Sequence, residues 1–282
     1  MRKVLSGIVA VLLTGTSGYA ADLYEPQVIE APVQETAIVE TSGWYLRGDA
    51  GWSFNKMRGA HYFQGSNNTD ADFDTTRLKS GFTLGGGVGY QINDHFRTDV
   101  TLDYMFKSKF RGSTSSAGGA VAGACVGPCT STDIASMTAL SLLANAYVDI
   151  ATYGSITPYV GAGIGGTYVN WGGLKNTSCP VGGGPCDPTE EHGGKKSWRF
   201  TYALMAGASI DLTCNLKADV GYRFRHVTKG AMFGYKANGG PGYDKGFYSH
   251  EARAGLRYSF NGCETATYIP PADIPIEQPV YK

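Results

Sequence analysis

Along GWYLRGDAGWSF (43–54) the side chains sort by parity. Trp44, Leu46, Gly48, Ala50, Trp52 and Phe54 make one set; Tyr45, Arg47, Asp49 and Ser53 make the other. A β-strand produces this division, because successive side chains leave opposite faces. It recurs in HFRTDVTLDYMF (95–106), SWRFTYALMAGASIDLT (197–213), NLKADVGYRFRH (215–226) and SHEARAGLRYSF (249–260). It is weaker in SGFTLGGGVGYQI (80–92), MTALSLLANAYVDI (137–150) and ITPYVGAGIGGTYVNW (156–171). Eight strands are expected, each long enough for the roughly 9–11 tilted residues of a membrane-crossing strand.

The connections alternate in length. Residues 56–79, 109–135, 172–196 and 229–246 are long; Asn93–Asp94, Tyr153–Ser155 and the turn at Cys214 are short. Outer-membrane barrels have this rhythm, with long loops outside and short turns in the periplasm. The polar face carries Arg47, Asp49, Arg97, Asp99, Asp103, Asp149, Arg199, Asp211, Lys217, Asp219, Arg223, Arg225, Glu251, Arg253 and Arg257. A soluble sandwich would put that face in water, where any polar mixture serves. Nearly balanced Arg and Asp suit a narrow interior, since the planar Arg fork holds a carboxylate through two hydrogen bonds. An eight-stranded barrel has an interior that side chains fill, so these charges predict a plugged polar lumen.

The apolar face carries Trp44, Phe96, Tyr258 and Phe260 near one end. Trp52, Phe54, Tyr104, Phe106, Trp198, Phe200, Tyr222 and Phe224 lie near the other, with small residues such as Ala144, Ala146, Ala206, Ala208 and Ala252 between. Two aromatic girdles around an apolar band are the mark of bilayer interfaces. The fold class expected is all-β: an eight-stranded antiparallel transmembrane β-barrel with long extracellular loops, short periplasmic turns and disordered tails.

Composition agrees and adds location. Charged residues are only 17%, with 40 Gly and 18 Tyr, which favours β-structure over helix. Formal net charge is zero, so no global field points to nucleic acid. Arg2 and Lys3, the apolar run Val4–Leu13, and Gly18 with Ala20 read as a secretory signal peptide over 1–20, cut between Ala20 and Ala21. The run is too short to cross a bilayer core, which needs about 20 apolar residues. Residues 21–42 hold five acids, two prolines and no Lys, Arg or Gly, an extended periplasmic linker. The barrel is expected over 43–260, followed by a Pro-rich periplasmic tail over 261–282.

Three motifs invite chemistry. VGAGIGG (160–166) contains G-x-G-x-x-G at Gly161, Gly163 and Gly166. A dinucleotide turn needs a helix after the glycines, yet TYVNWGGLKNTSCP has no helical period; the glycines belong to a strand. Six cysteines in an exported chain suggest disulfides. The count alone allows 15 connectivities; position in the barrel predicts Cys125–Cys129, Cys179–Cys186 and Cys214–Cys263. Ser249, His250 and Glu251 form a tempting hydrolytic cluster, but on a strand His250 faces away from the other two. No enzyme and no cofactor are expected.

Together, the signal peptide ending in Ala-Ala-Asp, GWYLRGDAGWSF, PYVGAGIGGTY and EARAGLRYSF resemble small outer-membrane β-barrels of alphaproteobacteria. That group includes the 25- and 31-kilodalton outer-membrane proteins and haemin-binding proteins of Brucella, Bartonella and rhizobia. The resemblance covers roughly 43–260 and implies a place in the outer membrane, surrounded by lipid. It implies an insertion signal in the last strand, read by the outer-membrane insertion machinery through Arg253, Gly255, Tyr258 and Phe260; here 22 residues follow Phe260, whereas such a signal ordinarily ends the chain. Some relatives bind haemin, for which His61, His192, His226 and His250 are candidates, though their spacing pairs no ligands. Some are amide-linked to peptidoglycan through an N-terminal Ala-Asp, which would be Ala21 and Asp22 here. The linker reaches up to about 70 Å when extended. The implied function is a structural barrel supporting the envelope. The alternatives are a surface binding protein or adhesin acting on an extracellular ligand through its loops, or a small porin.

Overall fold

The computed structural model describes residues 42–64, 69–116, 125, 127–236 and 239–263. The expected signal segment, cleavage site, attachment residues Ala21 and Asp22, and the tail from 264 lie outside the described residues. The barrel strands are β1 (Gly43–Met57), β2 (Gly81–Gln91), β3 (Phe96–Ser113), β4 (Cys129–Asp149), β5 (Ile156–Trp171), β6 (Lys196–Asp211), β7 (Leu216–Val227) and β8 (Phe247–Ser259). Each pairs antiparallel with the next, and β8 returns to β1 in the register Tyr45↔Ser259 through Met57↔Phe247. The sheet is closed, which leaves no barrel strand with an unpaired edge.

Parity decides what each residue meets. Even positions of β1 face outward, with Trp44 60% and Phe54 54% exposed, while Tyr45 and Ser53 are fully buried. Tyr258 and Tyr248 of β8 lie ten positions apart on that face. At about 3.4 Å per residue and a tilt near 40° this spans roughly 26 Å of barrel axis, matching an apolar band about 25 Å tall. The two aromatic rows therefore sit at the two interfaces.

The chain departs from the expected boundaries outside the membrane. The sequence pattern ends β3 near 106 and starts β4 near 137; the strands run on to Ser113 and back to Cys129. A bulge between Met105 and Ser108 makes this possible: Phe106 and Lys107 are both exposed, and beyond them the even residues Ser108, Phe110 and Gly112 turn inward. The long connections are also folded. Residues 60–64, 69–72, 230–233 and 239–244 form a separate four-stranded sheet, while 75–78 pairs with β3 and 174–180 with β4.

Extension and sheet together enclose an apolar core at the extracellular end. Met57, Phe73, Leu78, Met105, Phe110, Met137, Trp171, Met232, Phe233 and Phe247 are buried there. Phe110 meets Trp171 edge-on at 5.6 Å, and Phe73 meets Phe110 at 6.1 Å. Burying such side chains contributes roughly 1.5–3 kcal/mol each. The interior is thus not polar throughout: a charged lower lumen lies beneath a greasy cap.

Candidate functional site

The lower lumen holds an ion-pair chain that runs from Asp99 to Arg225, with two separate pairs nearer the periplasm. Arg47 holds Asp49 through two donors, Nε at 2.9 Å and Nη2 at 2.7 Å, and reaches Asp99 at 2.9 Å. Arg253 bridges Asp49 at 3.3 Å and Asp103 at 2.8 Å. Arg223 joins Asp103 at 2.7 Å to Glu251 at 2.6 Å, and Arg225 takes the other oxygen of Glu251 at 2.6 Å. Nearer the periplasm, Arg97 pairs with Asp149 at 3.1 Å and Arg257 with Asp219 at 3.3 Å. The six cations Arg47, Arg97, Arg223, Arg225, Arg253 and Arg257 thus face the six acids Asp49, Asp99, Asp103, Asp149, Asp219 and Glu251. Equal numbers matter because an unpaired charge buried among these side chains is far costlier than a paired one.

Three sequence-predicted residues sit elsewhere. Asp211 and Lys217 pair at 2.8 Å at the periplasmic mouth, with side chains about a third exposed. They line a periplasmic vestibule of about 710 Å³ together with Gln91, His95, Thr152 and Arg257. Arg199 joins none of the predicted acids. It donates to both oxygens of Asp244 at 2.7 Å, and Trp171 Nε1 donates to the same carboxylate at 3.0 Å. Burial pushes the Asp244 carboxyl above the usual carboxylate range, partly offset by Arg199 and by the Gly246 N–H. Asp244 lies in a connection without strand alternation, so only the unmatched Arg199 hinted at a partner.

Aromatic rings and glycines let the charges fit. The Arg97 guanidinium is held between the rings of Tyr147 and Tyr159, 4.4 and 4.5 Å from their centroids. A Cβ on Gly89 would lie 2.2 Å from the Tyr45 ring, one on Gly163 2.0 Å from Asn145 Oδ1, and one on Gly207 2.7 Å from the Tyr159 hydroxyl. Gly161 and Gly163 therefore make room for Tyr147 and Asn145 of the neighbouring strand, Gly165 lets the β5 backbone lie close to Leu142, and outward-facing Gly166 lies under the Trp198 ring. The whole motif lies inside β5. In mid-lumen a gap of about 10 Å³ lies among Arg47, Tyr147, Tyr159 and Arg223, at the lower limit for one water.

The other candidates are dispersed. Ser249 bonds Asn55 in the lumen, Glu251 is held by two arginines, and His250 accepts or donates at Tyr222 on the outer wall, so the three do not converge. His226 is on the outer wall against Arg58, His192 packs on Phe233 in the cap, and His61 stacks on Tyr243. Among the described residues, no cluster of His, Cys, Asp and Glu could hold a metal. The disulfides are Cys125–Cys129, Cys179–Cys186 and Cys214–Cys263. The first two clamp neighbouring loop tips: Pro180 pairs with Cys129 and the Cys125 N–H donates to Asp187. The third ties the β6–β7 turn to the segment after β8. Gly255, Tyr258 and Phe260 lie on or just past β8, the two aromatics exposed on the outer face.

A closed antiparallel cylinder with a charged inside and an aromatic-bounded apolar outside defines a transmembrane β-barrel. Residues 27–260 match the outer membrane protein beta-barrel domain, and the chain belongs to that family, whose place is the cell outer membrane. An uncharacterized protein of Brucella abortus is 36% identical over 286 residues, covering 89% of this chain and 98% of its own. A Rickettsia bellii protein named as a candidate adhesin is 32% identical over 231 residues, covering 76% of this chain and 87% of its own. Among solved structures, the outer membrane protein OprG from Pseudomonas aeruginosa is similar at 13% identity and a TM-score of 0.47, covering 78% of this chain and 97% of that one.

Proposed function

We propose that this protein is a non-conducting, non-enzymatic barrel that anchors a folded recognition surface on the outside of the outer membrane. The observation that carries this reading is the double closure of the interior: the ion-pair lattice fills the lumen, and the four-stranded sheet seals an apolar core above it. What remains available outside is the cap, where Tyr235 and Tyr243 are 61% and 41% exposed and two disulfides stiffen the adjoining tip. The candidate-adhesin name of the Rickettsia relative supports the same direction. Planar-bilayer recording should give no unitary current from the purified protein. Cells carrying the protein should adhere to host-cell monolayers or extracellular matrix, and deletion of 230–244 should abolish that adhesion. A steady ion current, or adhesion unchanged by the deletion, would defeat the proposal.

A second reading, envelope support by covalent anchorage, rests on Ala21-Asp22 and the linker that follows. The resemblance of GWYLRGDAGWSF and EARAGLRYSF to the 25- and 31-kilodalton and haemin-binding barrels supports this second reading. Mass spectrometry of lysozyme-digested sacculi tests it: a muropeptide joined to Ala21 supports the tether, and its absence rejects it.

A further inference from the structure

The chain is neutral overall, yet one sector of its outer wall is strongly basic. Lys107, Lys109 and Arg111 of β3 are exposed, and so are Arg77 and Lys79 on the neighbouring segment and Lys56 at the end of β1. The backbone makes these one surface. Arg77 is directly opposite Arg111 in antiparallel register, the Lys79 N–H donates to the Lys109 carbonyl, and Asn55 donates to the Lys79 carbonyl at 3.1 Å. None of the six forms an ion pair with a described residue; the lysine pairs are those of Lys217, Lys236 and Lys245, and the arginine pairs lie inside. Like charges placed opposite each other in a sheet repel, so Arg77 and Arg111 call for an outside counter-charge.

Position identifies that counter-charge. Directly below lies the outer aromatic row, with Phe82 and Phe106 rings 5.6 Å apart and Phe54 54% exposed. Lys107 follows Phe106 in the chain, and Arg111 is about 10 Å further along the barrel axis by strand rise and tilt. The cations therefore occupy the headgroup layer, not the tip of the cap. We infer that this sector is a binding site for the phosphate groups of outer-leaflet lipids, with acyl chains against the aromatic row beneath. It is independent of any recognition by the cap, which lies above it.

The test uses the full chain reconstituted into phosphatidylcholine nanodiscs, with bisphosphorylated lipid A titrated in and bound glycolipid counted by native mass spectrometry. A basic residue at an anionic membrane surface is worth about fivefold in affinity. The variant Lys107→Gln/Lys109→Gln/Arg111→Gln should thus hold lipid A about a hundredfold more weakly. Lys195→Gln/Lys196→Gln/Lys229→Gln, away from the sector, should leave it unchanged. Heat-dependent gel mobility reports whether each variant is folded. Dephosphorylated lipid A on the unaltered protein is the second arm and should bind as weakly as the triple variant. Equal retention of both lipid forms, equal loss in both variants, or preference for a soluble sulfated polysaccharide over lipid A would overturn the inference.

Discussion

Glu251 is the place to test whether charge balance holds the lumen together. Its side chain is fully buried and accepts from Arg223 at 2.6 Å and Arg225 at 2.6 Å. The two arginines differ in what else they have. Arg223 retains Asp103 at 2.7 Å, whereas Arg225 retains only the Ser141 hydroxyl at 2.7 Å. Glu251→Gln keeps the shape and removes the charge, leaving Arg225 without a counter-ion. Breaking one side of a buried ion pair costs about 3–5 kcal/mol. Arg225→Met alone is milder, because Glu251 keeps Arg223; losing one hydrogen bond to a charged group costs about 1.5–3 kcal/mol. The double variant restores equal numbers of cations and acids, so its cost should be about 1–3 kcal/mol, well below the sum of the singles. Equilibrium urea unfolding in lipid vesicles, followed by tryptophan fluorescence, measures all three, with heat-dependent gel mobility as the check on folding. If the double cost equals the sum within about 0.5 kcal/mol, charge pairing is not what holds these residues.

Gly165→Ala would place a methyl group 2.1 Å from the Leu142 carbonyl oxygen; the strands must part, costing about 1–3 kcal/mol, read as a lower urea midpoint. Asp244→Asn leaves Arg199 buried without its counter-ion, so the cap should open: limited trypsin digestion of intact vesicles should cut at Lys229 or Lys245 much faster, while the lumen stays protected. Cys214→Ser/Cys263→Ser removes a crosslink spanning 49 residues, which in the chain-entropy account stabilises by up to about 4 kcal/mol. A non-reducing gel confirms the loss of the bond, and an unchanged unfolding midpoint would refute the stabilising role.

The membrane-embedded part was legible because lipid constrains the outer face of every strand: an outward Arg is expensive there, so Trp44–Phe54 or Phe96–Phe106 could be read by alternation, whereas β4 read weakly because apolar Leu143 also lies inside. Above the interface that rule lapses. The bulge at Phe106–Lys107 inverts parity, so Phe110 reads as a misplaced residue until its inward direction is seen. Phe73, Met232 and Phe233 lie in the long connections and Trp171 at the very end of β5, and their common core exists only because chain segments distant in sequence meet. The same holds for Arg199 with Asp244: the cation was visible as an inward residue, its partner only through long-range folding. The basic sector was hidden for a related reason, since Lys56, Arg77 and Lys107 become neighbours only once β1, β3 and the segment 75–78 lie side by side.

The seam between β1 and β8 carries a topological consequence. Since the final barrel strand completes the ring by pairing with the initial one, the cylinder has no privileged starting point, and both strands exit at the same rim. A circular permutant, joined between Ser259 and Gly43 by a short Gly-Ser bridge and reopened within 114–128, would trace the same hydrogen-bonded cylinder. Its new ends would emerge on the cell exterior, turning the scaffold into a display carrier whose cargo rides on the two long central strands.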